Sequence, residues 1–201
     1  MTTRRATVGA RATDHVDRIL EQWHRERPDL DTTPMSVIAR ISRLSRILER
    51  RIAEVLAEHG LNEPQFGVLA ALRRAGPPYC LSPTALYSSL LISSGAMTNR
   101  LDRLTASGLV KRVPDPNDRR SMLVQLTPKG LRMIEGAIAA HTENEQALIG
   151  SLSPAERVTM ADLLRTFLAG FEDEDHLLSP IDSLHPGDGA RPTRRSTLRR
   201  S

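Results

Sequence analysis

The sequence predicts a mainly α-helical protein built on a winged helix-turn-helix, with a two-stranded wing and long helices before and after it. Three observations carry that prediction. Aromatic residues make up 3% of the 201 positions against 39% for all hydrophobic types, which suits an Ala/Leu/Ile-rich helical core better than a β-sandwich. Two short, separately capped helices stand close together between Ser82 and Gly108. Directly after them, the apolar spacing changes from the helical period to strict alternation.

Taken in order, residues 1–12 are a basic stretch expected to be disordered. Residues 13–34 hold an extra helix and a linker: Val16, Ile19, Leu20 and Trp23 share a face, and Pro28 stops the helix. Residues 35–60 read as one long helix with a stripe of Val37, Ile41, Leu44, Leu48, Ile52, Val55 and His59, closed by Gly60.

Residues 61–126 form the winged unit. Asn62 caps its first helix with Gln65 as reciprocal partner, Phe66, Leu69 and Leu72 turn inward, and Gly76-Pro77-Pro78 breaks it. Ser82-Pro83 opens a helix running to about Leu91, and Cys80 falls in the loop before it. Ser93 caps the next helix, 94–107, whose inward residues are Met97, Leu101 and Leu104. Strands over 109–113 and 121–126 follow, with Met122, Val124 and Leu126 on one face and PDPNDRR at the hairpin tip.

Residues 127–178 supply two more helices. Thr127-Pro128 starts one that reaches about 150 and lines up Leu131, Ile134, Ile138 and His141. A capping box of Ser153 and Glu156 starts the other, with Leu164, Phe167, Leu168 and Phe171 aligned and a solvated acidic end at 172–175. Residues 179–201 are rich in Pro, Gly, Ser and Arg and are expected to be disordered.

Composition excludes several classes. No apolar run nears the ~20 residues of a membrane span, and the start of the chain lacks the apolar segment of a secretory signal. One cysteine permits no internal disulfide framework, so a cytoplasmic protein is expected. The six histidines show no metal-ligand spacing, and no phosphate loop, nucleophile elbow or catalytic carboxylate pair is present. Neither a cofactor nor an enzymatic activity is expected.

The net charge of +4 is uneven. Residues 1–11 carry +3 and residues 180–201 carry +3, leaving −2 on everything between. Within that acidic middle, 100–120 is a basic island of six cations (Arg100, Arg103, Lys111, Arg112, Arg119, Arg120) against three acids. The outer face of helix 94–107 offers Ser94, Thr98, Asn99, Arg100, Asp102 and Arg103. Hydroxyl residues let a backbone come close to DNA, while Asn and Arg can pair with adenine and guanine edges. An arginine on a hairpin tip can enter a narrow minor groove, and Asp118 could orient a neighbouring arginine. A solvated helix and turn would also tolerate these residues, but would not account for a basic island beside a helix-turn-helix.

The stretch SSGAMTNRLDRLTASGLVKRVPDPNDRRSMLVQLTPKG resembles the recognition helix and wing of the MarR family of transcriptional regulators, with DRRS and LTPKG its most distinctive parts. The resemblance covers residues 35–178 in order. It implies a homodimer with interlocked terminal helices that sets a winged helix from each copy on a double-stranded, pseudo-palindromic operator. DNA contacts then fall to Ser93, Ser94, Thr98, Asn99, Arg103, Asp118, Arg119 and Arg120.

The extension EQWHRERPDLD is similar to the urate-responsive branch of the family, where a tryptophan on this helix and an arginine on the recognition helix line an effector pocket. Those positions match Trp23 and Arg100; the branch's aspartate and asparagine fall on Gly67 and Ala75. The resemblance thus implies a site for a small anionic effector, a carboxylate or purine-like molecule. The expected function is a ligand-responsive repressor. The alternative is a winged-helix module that docks proteins and reads no DNA sequence. Redox sensing by Cys80 is the weakest reading, because peroxide-sensing relatives place their cysteine near the start of the long helix.

Overall fold

The computed structural model describes residues 13–90, 93–118 and 120–178, with side chains as far as Phe171. The basic stretches 1–12 and 179–201, and Arg119 at the wing tip, lie outside the described residues. Seven helices are described: α1 (His15–Glu26), α2 (Thr33–Glu58), α3 (Glu63–Arg74), α4 (Pro83–Ser89), α5 (Ser94–Ala106), α6 (Pro128–Leu148) and α7 (Pro154–Leu178). Three short strands complete the set: β1 (Cys80–Leu81), β2 (Val110–Pro114) and β3 (Met122–Leu126).

The local signals act as expected. Asn62 Oδ1 accepts from the Gln65 amide while Gln65 Oε1 accepts from the Asn62 amide, so two otherwise orphaned donors at the start of α3 are paired. Ser153 and Glu156 repeat the arrangement before α7. Ser82 and Ser93 accept from Ala85 and Ala96 to start α4 and α5. Gly60 and Gly108 leave α2 and α5 at φ +68° and +70°, a region in which a Cβ is strained.

Two expectations need correction. Cys80 is not in a loop: it pairs with Gln125, so β1 adds a third strand in the antiparallel order β1-β3-β2. Two residues are too short to show alternation, and the pairing exists only because β3 passes alongside. Helix α4 ends at Ser89 rather than Leu91, and 91–92 lie outside the described residues. Met122 lies on the same face of β3 as Val124 and Leu126, as expected, but is 44% exposed, at the hairpin end beyond the reach of the core.

The chain divides into two compact units, Met1–Leu148 and Ile149–Ser201. The core of the first runs from Leu56 through Val68, Leu69 and Leu72 of α3, Leu86 of α4, Met97, Leu101 and Leu104 of α5, and Val124 of β3 to Ile134 and Ala137 of α6. Each large side chain there contributes about 1.5–3 kcal/mol by leaving water. The α2 stripe is unevenly covered: Ile52 packs against the core and Ile41 is half-buried, while Val37, Leu44 and Leu48 are exposed. In the second unit, α7 exposes Val158, Leu163, Leu164, Phe167, Leu168 and Phe171.

Candidate nucleic-acid interface and ligand cavity

Helix α5 divides its residues cleanly by face. Met97, Leu101 and Leu104 are at most 3% exposed, and they fix which side points out. Ser93, Ser94, Thr98, Asn99 and Arg103 are exposed, and they run from the capped N-terminus along one side of the helix. Ser93 spends its hydroxyl oxygen on the cap, and the Thr98 hydroxyl donates to the Ser94 carbonyl at 3.0 Å. Asn99 and Arg103 therefore carry the freer hydrogen-bonding groups of the row. The helix N-terminus itself presents unpaired N–H groups and the positive end of the helix dipole, which favour phosphate.

The wing is a hairpin of β2 and β3, with Val110 opposite Leu126 and Pro114 opposite Met122. Its turn is folded by its own carboxylates. Asp115 accepts from the Asn117 amide at 2.8 Å. Asp118 accepts from the Arg120 amide at 3.0 Å and the Ser121 hydroxyl at 2.6 Å, and those two donors, the hydroxyl foremost, hold its carboxyl below the ordinary carboxylate range. Asp118 thus shapes the backbone that presents Arg120, while Arg119, the other neighbouring arginine, lies outside the described residues. Arg120 is exposed. Arg112 Nη2 donates to Asp102 Oδ1 at 2.9 Å, tying β2 to α5 and taking Asp102 out of the free polar row.

Behind α5 lies a cavity of about 550 Å³ between α2, α3, α5 and α6, within the range of small-molecule sites. Ile52, Phe66, Gly67 and Leu90 make its apolar lining; Arg100, Glu63 and His141 are its polar groups. The His141 ring sits 4.9 Å from that of Phe66, its Nε2 lies 3.2 Å from Glu145, and its Nδ1 is buried with no hydrogen-bond partner among the described residues. Arg100 thus lines this cavity. Trp23 is not among the lining residues: it is 40% exposed on α1, so one chain does not bring Trp23 and Arg100 together. Gly67 lines the cavity and Ala75 does not.

Sequence reasoning passed over Glu63, Phe66 and His141 as cavity residues, since each also fits a helix cap or an inward helical face. It also passed over a junction at residues 127–130. The Thr127 hydroxyl donates to the Gly108 carbonyl at 2.8 Å and accepts from the Gly130 amide at 3.0 Å. Lys129 Nζ donates to the Ser107 carbonyl at 2.9 Å. A glycine inside the first turn of a helix was the available signal.

Among the described residues, no helix is long and apolar enough to cross a membrane. Residues 59–121 match the model of the MarR family. The chain is 40% identical over 149 residues to the HTH-type transcriptional regulator PecS of Dickeya dadantii, spanning 74% of this chain and 90% of that protein. Among solved structures it resembles a mutant MarR from E. coli in complex with operator DNA, with TM-score 0.59, 30% identity, and coverage of 73% of this chain and 97% of that one. It also resembles BpsR of Bordetella bronchiseptica, whose DNA binding is regulated by 6-hydroxynicotinic acid, with TM-score 0.57, 30% identity, and coverage of 65% and 91%.

Proposed function

The chain belongs to the MarR family, and from that premise we propose a homodimeric repressor that grips a pseudo-palindromic operator and lets go when a small anionic effector binds. It is a ligand-responsive, DNA-binding transcriptional regulator. One observation carries the reading of how it binds: the exposed polar row of α5 starts at a capped helix N-terminus and stands beside a basic hairpin. In this reading Ser94, Thr98, Asn99 and Arg103 face base edges in the major groove. Asn99 suits adenine and Arg103 suits guanine. Arg120, with Arg119 outside the described residues, holds the minor groove or its phosphates.

The dimer is supported by surface that a lone chain leaves wet. Val37, Ile38, Leu44, Ile47 and Leu48 of α2, and separately the apolar row of α7, are exposed. Contiguous apolar patches of this kind mark association surfaces. Residues 35–60 and 127–178 are the segments proposed to supply that association, 13–34 an added helix and linker, and 61–126 the part that meets DNA.

The effector is proposed to occupy the cavity with its anionic group on Arg100. Arg100 is on the same helix that reads DNA, so a ligand preferring one tilt of α5 shifts the population toward it. Trp23 would contribute only from outside the cavity of its own chain.

Mobility-shift titration on duplexes selected by the native protein from a random pool tests the assignment. Asn99→Ala should cost about 1–3 kcal/mol on selected duplexes and relax the choice of base at one position. Arg120→Ala should weaken selected and scrambled duplexes alike and lower the salt slope by about one ion. Asn99→Ala selecting the same sequences with native affinity would remove α5 from base reading.

A further inference from the structure

Among the described residues, the polar ties from the helix proposed to read DNA to other elements stand at its C-terminal end. Its N-terminal half rests on apolar packing of Met97 and Leu101, which is non-directional. Its C-terminal end is bound three ways. Arg112 of the wing reaches Asp102 at 2.9 Å. Lys129 Nζ reaches the Ser107 carbonyl at 2.9 Å, where a cation also meets the negative end of the helix dipole. The Thr127 hydroxyl reaches the Gly108 carbonyl at 2.8 Å, and the Thr127 amide reaches the Leu109 carbonyl at 3.0 Å.

Gly130 sets how close this contact is. A Cβ there would stand 2.0 Å from the Leu109 carbonyl oxygen and 2.9 Å from its carbon, so the first turn of α6 lies directly against the exit of α5. Helix α6 is in turn fixed in the core through Ile134 and Ala137.

We propose that Thr127, Lys129 and Gly130 are positioning residues for operator recognition: a latch that fixes the angle of α5 to α6 without touching DNA. The geometry makes the angle matter. Helix α5 has 13 residues, about 20 Å at 1.5 Å per residue. A swing of about 5° at the latch carries the groove-reading end about 2 Å, beyond what a base-edge hydrogen bond tolerates. The inference rests on the DNA-reading assignment of α5 made above.

The test uses the full-length chain, duplexes that the native protein selects from a random pool, and scrambled duplexes of equal length, each titrated at several salt concentrations. Lys129→Met should weaken the selected duplexes about fivefold, the net loss typical of one intramolecular hydrogen bond. It should leave scrambled duplexes and salt slope as in the native protein and lower the melting temperature by no more than a few degrees, and Lys129→Arg should restore selection. Gly130→Ala, whose Cβ must force the junction apart, should lose selectivity further while its helical circular dichroism persists; if it does not fold, Lys129→Met decides. Equal weakening of both duplex classes with a slope lower by about one ion would make Lys129 a phosphate contact and overturn the latch. Native selectivity in Lys129→Met would overturn it too. A native protein that selects no duplex would instead overturn the DNA reading itself, and the latch with it.

Discussion

Arg100 differs from the other cations of the basic island because it is half-buried and lines a cavity, whereas Arg103 and Arg120 are exposed. The difference predicts a division of labour. In a thermal-shift screen of 6-hydroxynicotinate, urate and citrate, a ligand of the native state should raise the melting temperature. Arg100→Gln should abolish that rise and the accompanying release of DNA, while affinity for DNA without ligand stays within about threefold of native, since no base-reading group is removed. A full ligand response in Arg100→Gln would place the effector elsewhere. Much of this residue-level picture was readable beforehand, because three inward leucine and methionine positions on a helix fix all the outward ones. Partners distant in sequence were not readable. Asp118 accepts from the Arg120 amide and the Ser121 hydroxyl to fold its own turn, and Lys129 meets Ser107 across 22 positions.

At the scale of elements, α1 is fastened to α2 chiefly by charge. Only Val16 of α1 is buried, but Arg40 of α2 donates to both Asp14 and Asp17, the capping pair at the start of α1. The Asp17 amide, then the Arg40 guanidinium, hold the Asp14 carboxyl down from 3.8 to about 2. A depressed carboxylate pKa adds stability that is fully present above the unfolded value and is lost as pH falls through the folded one. The clasp should therefore be intact above pH ~4 and fail between pH ~4 and ~2. Trp23, the single tryptophan, reports it: its emission should shift over that window in the native chain and lose that shift in Asp14→Asn. An identical acid transition in Asp14→Asn would assign the attachment to packing. The helices themselves were legible from caps and periods, and their ends fall within a few residues of expectation. Strand β1 was not, because two residues become a strand only by pairing with β3. The α2 stripe was legible as a stripe, but not which of its positions this chain would cover.

For the whole molecule, the proposed assembly rests on charge and apolar surface. The described middle of the chain is net acidic, so the affinity for DNA assigned to it must come from where its cations stand rather than from how many there are. The exposed rows on α2 and α7 suit a second copy, and two copies would offer two α5 helices to one face of a duplex. Hydroxyl-radical footprinting of the native protein on a selected duplex tests this most directly. Two protected half-sites about 10 base pairs apart on one face are expected, both disappearing together when the protein is diluted below its dimer dissociation constant. A single protected half-site that persists on dilution, or uniform protection along the duplex, would contradict the account.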